Sequence, residues 1–174
     1  MPEPVRAAVA ALSGPLAPLD ETVAGLAREP GLVAWWGPVP GAGGPPDVLL
    51  AVGAATMLRN RVTRQDLYRT GVSELRRVLA GLLLDELDLA PTWAAEVVLP
   101  RADEDRLTAW MRAHLRLSWT AREDRREVLP GVVAAMAPAL DPTREPGRSA
   151  LERYLEAAGR RPERVAGGPP FKRP

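Results

Sequence analysis

A chain of 174 residues, 46% hydrophobic and 26% charged, has the size and composition of one globular domain with a real core. It has no cysteine, which excludes disulfides and thiol chemistry, and its single histidine, His114, argues against a classical zinc site. A net charge of +1 conceals 23 basic residues, all arginine except Lys172, and arginine is always ionised and shaped to grip phosphate or carboxylate.

No apolar run approaches the roughly 18 residues that cross a bilayer, and the start lacks the pattern of a signal peptide. The sequence therefore expects a bacterial-type cytoplasmic protein with no membrane association. Residues 5 to 28 are rich in Ala and Leu, and Asp20 is positioned to cap a short helix ending before Pro30. "GLVAWWG" (31–37) and "DVLLAVG" (47–53) read as two buried strands around the loop "GPVPGAGGPP", hence an antiparallel hairpin with a long tip. The "GAGG" of that loop is no phosphate cradle, because no Gly-Lys-Ser/Thr follows and a strand comes next.

From Thr56 to about Arg69, Met57, Leu58, Val62 and Leu67 recur at helical spacing, with Arg59, Arg61, Arg64 and Arg69 mainly between them. Gly71 breaks that helix, and Ser73 caps a core helix that carries Arg76 and Arg77. Asp85, Glu86 and Asp88 crowd its C-terminal end, where the helix dipole disfavours acids. "AEVVLP" reads as a third strand, "ADEDRLTAWMRAHL" as an amphipathic helix and "RLSW" as a short fourth strand. Leu129 to Ala137 reads as a helix with Pro130 in its first turn, and Ser149 caps a last helix. From Gly159 the basic, Pro/Gly-rich tail is expected to be disordered. The expected fold is α/β (α+β): a small, mostly antiparallel sheet of three to four strands flanked by helices. Residues 1–29 form an extra helical segment, 30–158 the main domain and 159–174 the tail.

These blocks resemble the GIY-YIG nuclease family in its actinobacterial form. "GLVAWW" stands where that family carries Gly-Ile/Leu-Tyr, and "LLAVGAATMLRNRV" where it carries Tyr-Ile/Val-Gly and the first helix. The similarity continues through "RTGVSELRRVLAGLLLDE" and "VVLPRADEDRLTAWMRAHLRLSW" to "VVAAMAPALD", about two thirds of the chain. The resemblance implies metal-assisted phosphodiester hydrolysis. Two tyrosines position water, an arginine stabilises phosphate charge and a glutamate holds a divalent cation.

Position by position, the motif glycines Gly31 and Gly53 and the arginine Arg61 are retained. The tyrosines fall on Val33 and Ala51, the glutamate on Leu129, the histidine near Asp66 and the asparagine on Asp141. Val33 and Ala51 have no hydroxyl, and Leu129 cannot bind Mg²⁺, which wants oxygen ligands. Glu127 is no substitute, since two residues along a helix turn a side chain by about 200°; with Glu123 and Asp124 it reads as a solvated acidic segment.

The resemblance therefore implies a nuclease-like fold without nuclease chemistry. No cofactor is expected, Mg or Mn entering only if a site is rebuilt. Arg59, Arg61, Arg64, Arg69, Arg76 and Arg77 are the candidate nucleic-acid-binding face, for DNA or RNA. The alternatives are a protein-interaction module without nucleic-acid binding and an active metal-dependent endonuclease with a relocated site. Trp35 and Trp36, adjacent on a strand, face opposite sides, so one is core and the other is free to line the cleft. His114 reads as a surface or satisfied histidine, and Trp110 and Trp119 as core.

Overall fold

The two apolar runs pair as an antiparallel hairpin, β2 (Gly31–Gly37) with β3 (Val48–Ala55). They are seen in a computed structural model that describes residues 1–159; apart from Gly159, the expected tail lies outside those residues. On the other side of β2 lies β6 (Arg116–Ala121), and β1 (Ala17–Pro18) pairs with β6, giving the order β1-β6-β2-β3. The "RLSW" strand is thus six residues long and internal to the sheet. The "AEVVLP" strand is not in this sheet: β5 (Val97–Val98) pairs only with β4 (Thr92–Trp93) in a separate two-stranded ribbon.

Strand alternation divides the core in two. Val33 and Trp35 point into the larger hydrophobic cluster, and Leu32, Ala34 and Trp36 into the smaller one. The β2–β3 register slips between Trp35 and Trp36, so Leu50 has no partner and both Leu50 and Ala51 face the larger cluster. One extra residue on one strand is a β-bulge, and bulges re-aim side chains.

The smaller cluster is closed by α1 (Glu3–Leu12) and α6 (Arg125–Met136). Ala8 and Leu12 are fully buried, and a buried leucine contributes about 1.5–3 kcal/mol. Residues 1–29 are therefore part of the domain: α1 covers one face of the sheet and β1 extends it. The larger cluster is covered by α2 (Leu19–Gly25), α4 (Glu74–Leu83), α5 (Arg101–His114) and α7 (Gly147–Gly159).

Three helix starts differ from expectation. Asp20 lies inside the first turn of α2, whose N-cap is Pro18. Ser149 lies inside α7 and its hydroxyl donates to Glu145 at 2.6 Å. Helix α6 begins four residues before Leu129, which places Pro130 in its interior. Its start is set by Arg122, whose Nε and Nη2 donate to the two oxygens of Asp124 at 2.6 and 2.8 Å, while Asp124 O accepts from Val128 N at 3.1 Å. Asp124 is therefore paired rather than merely solvated. Of the crowded acids after α4, Asp85 is paired with Arg153 of α7 at 3.0 Å, while at Asp88 it is the backbone carbonyl that accepts from Arg106 of α5, at 2.7 Å.

Candidate nucleic-acid interface

Strand β3 runs into α3 (Leu58–Asn60), then a wide π-type turn over Arg61–Asp66, then a 3-10 turn over Thr70–Val72. The regular helix expected from Thr56 to Arg69 does not form. The Thr63 hydroxyl donates to Arg59 O at 2.7 Å, a back-bond that competes with the helical ladder. Leu67 N then reaches back five residues to Val62 O at 3.1 Å, the spacing of a π-turn. The six candidate arginines thus do not form one face.

Arg61 lies over the sheet, where a Cβ added to Gly53 would sit 3.9 Å from its Nη2 and 4.0 Å from Val33 Cγ1. Its Nε donates to Asp66 Oδ2 at 3.0 Å, and the other Asp66 oxygen accepts from the Ser73 hydroxyl at 2.8 Å. Asp66 is 1% exposed, and a buried carboxylate needs a charge partner. Ser73 also caps α4, as expected, by accepting from Arg76 N at 3.4 Å.

Arg76 is not available to a ligand. It is fully buried. Its guanidinium donates to Glu104 Oε2 at 2.5 Å, Leu67 O at 2.6 Å and Glu104 O at 3.1 Å, and also contacts Thr70 and Thr108. Burial pushes its pKa below the ordinary value, and the charge of Glu104 opposes that shift. The sequence could not separate this arginine from its neighbours, because its partners lie on three other segments. Arg77 is half-buried, and its Nε, shut off from solvent, finds no hydrogen-bond partner. Arg69 lines a cleft beside Glu96 and Glu104, an acidic neighbourhood that partly offsets its charge.

Arg59 and Arg64 are differently placed. They line a cleft of about 310 Å³ with Arg28, Met57, Asn60 and Thr63. Arg28 is the residue that sequence reasoning missed. It lies 31 positions before Arg59, and the only signal for it is its place just before β2.

The three substituted positions, Val33, Ala51 and Leu129, do not share one cleft. Val33 is 1% exposed beneath the Arg61 side. Ala51 lines a different cleft, of about 270 Å³, with Glu74, Leu75, Val133, Leu140 and Asp141 at the outer edge of β3. Leu129 packs with Val52 and Ala54 against the smaller cluster, hence from the opposite face. Val33, Ala51 and Leu129 offer no oxygen donor, and Asp141 spends Oδ1 on the Thr143 N–H and hydroxyl at 2.8 and 2.7 Å, so the divalent cation that the resemblance implies does not fit this set. Among the described residues no three carboxylate or imidazole groups are placed to hold a metal ion.

Trp36 turns toward α1, and its Nε1 donates to Ser118 at 2.9 Å. Trp110 is core and Trp119 half-buried; His114 stacks on Trp110 at 4.6 Å and is engaged with the Trp110 carbonyl at 2.8 Å. Among the described residues, no helix is long and apolar enough to cross a membrane. Comparison of the chain with protein-family models, curated proteins and solved structures finds no match.

Proposed function

We propose that the chain is a GIY-YIG-like nucleic-acid-binding module without nuclease chemistry. The observation that carries this reading is that Arg59 and Arg64 converge on one cleft with no carboxylate in its lining. Uncompensated guanidinium groups on a shared surface attract a polyanion. Val33, Ala51 and Leu129 provide no group to activate water or bind a cation, which favours binding over cleavage. Arg61 keeps its terminal nitrogens at the sheet surface and supports the same role.

The test is binding of labelled duplex DNA and single-stranded RNA across a salt series. Affinity should fall by orders of magnitude between about 50 and 200 mM salt if several phosphates are neutralised. Supercoiled plasmid incubated with Mg²⁺ or Mn²⁺ should remain intact; nicking lost in Arg61→Ala would support the endonuclease alternative instead.

A protein-partner role draws on Trp93, which is 64% exposed on the β4–β5 ribbon. It predicts a stable oligomer or complex by light scattering and no nucleic-acid affinity.

A further inference from the structure

We propose that Arg28 completes a built phosphate cleft with Arg59 and Arg64, and that this cleft takes neighbouring phosphates of a nucleic-acid backbone without reading bases. The proposal rests on the nucleic-acid reading for the source of the phosphate.

The cleft is assembled by the backbone. Leu58 N donates to Glu29 O at 2.9 Å and Arg59 N donates to Ala27 O at 3.1 Å, so residues 27–29 are stapled to the start of α3. This sets Arg28 beside Arg59, although thirty residues separate them. The Thr63 back-bond to Arg59 O and the widened turn after Asn60 then bring Arg64 to the same opening. Asn60 and Thr63 line the same cleft and add neutral polar groups to it.

The site is set apart by three arginines that line one opening with no acid in its lining. Ten arginines form ion pairs with acids among the described residues, and Arg28, Arg59 and Arg64 are not among them. Glu29 follows Arg28 in sequence but does not line the cleft. Three like charges around one opening repel one another, and an anion relieves that repulsion. A phosphodiester carries one negative charge, so three guanidinium groups match two or three successive phosphates. No aromatic side chain lines the cleft, so it has no platform on which bases could stack. Contacts of this kind position a strand and carry no sequence information.

The experiment uses the full chain and a fluorescein-labelled 20-base-pair duplex, read by fluorescence anisotropy over a salt series. Arg28→Ala should weaken binding about tenfold at low salt and reduce the slope of log affinity against log salt by about 0.9, the value for one lost phosphate contact. Two unrelated duplex sequences should be affected equally. Arg28→Gln, which keeps the length of the side chain, should lose the same slope, whereas the remote surface control Arg126→Ala should lose less than half as much. Wild-type affinity and slope in Arg28→Ala, or unequal losses on the two sequences, would overturn the cleft and leave the nucleic-acid reading standing. Inorganic tripolyphosphate is the second probe. If it raises the melting temperature of the wild type but not of Arg28→Ala, and no duplex binds, the cleft stands and its nucleic-acid source falls. Binding of neither probe overturns both.

Discussion

Asp66, 1% exposed, accepts the Nε–H of Arg61 at 3.0 Å and the Ser73 hydroxyl at 2.8 Å, so one buried carboxylate ties the wide turn after β3 to the start of α4. The Arg61 side chain is 29% exposed and serves two needs. Its Nε neutralises Asp66, and its Nη groups remain over the sheet.

Removing Asp66 should therefore cost more than removing an exposed acid. Asp66→Ala is expected to destabilise the domain by about 2–3 kcal/mol, because Ser73 and Arg61 both lose a buried partner. Asp66→Asn keeps the acceptor for Ser73 and should cost less. Urea unfolding of both variants, with Arg61→Ala to complete a double-mutant cycle, checks this; a coupling energy near zero would show that the pair is incidental.

Arg76 presents the stronger case. Its side chain is fully buried against Glu104, which is 16% exposed. Arg76→Ala should cost about 3–5 kcal/mol, since it leaves the largely buried Glu104 carboxylate without its countercharge, held only by the Thr70 N–H and hydroxyl. Arg76→Met fills the volume without charge; pairing it with Glu104→Gln should recover most of the loss. A denaturant midpoint unchanged in Arg76→Ala would contradict the burial seen here.

Tyr154 sets the expected behaviour at alkaline pH. Burial, reinforced by the negative charge of Glu104, raises its pKa well above the ordinary value, and its hydroxyl donates to Val97 O at 2.9 Å. A raised folded pKa means that the stabilisation is fully present below about pH 10, the ordinary tyrosine value. It is lost as pH rises through the folded value, because the unfolded chain ionises first. Tyr154→Phe should cost about 1 kcal/mol at neutral pH and flatten the decline above pH 10. Urea midpoints at three pH values would show it, and a parallel decline in both proteins would remove Tyr154 as the cause.

Two glycines should respond oppositely to alanine. A Cβ at Gly81 would fall 1.8 Å from Ala150 O, where α4 and α7 touch backbone to backbone. Gly81→Ala is expected to cost about 3 kcal/mol or more, because rigid backbone must move. At Gly25, in the last turn of α2, a Cβ meets nothing within 4 Å, so Gly25→Ala should be neutral or stabilising by up to about 1 kcal/mol. Thermal melts of the two variants give a direct comparison.

Period-2 and period-3.6 patterns, with Gly and Pro as punctuation, were enough to read the β2–β3 hairpin, the Ser73 cap and the amphipathic α5, because each is set by neighbours within a few residues. The same local logic failed for the helix after β3, where a Thr63 back-bond widened the turn, and for the start of α6, where the Arg122–Asp124 pair fixed an earlier beginning. It also left residues 1–29 as an appendage, since nothing local reveals that Ala17 and Pro18 pair with β6.

The sequence by itself determined the mixed helix-and-sheet class, the absence of hydroxyl and carboxylate at Val33, Ala51 and Leu129, and the abundance of arginine, all of which are properties of residue identity and short-range order. Only the tertiary structure decided what each arginine does. Arg76 is enclosed by partners from residues 66–70 and from the distant α5, Arg61 is held by Asp66, and Arg28 is carried to Arg59 by two backbone hydrogen bonds. An arginine's role depends on which charges stand within a few ångströms of it, and that distance is set by the fold.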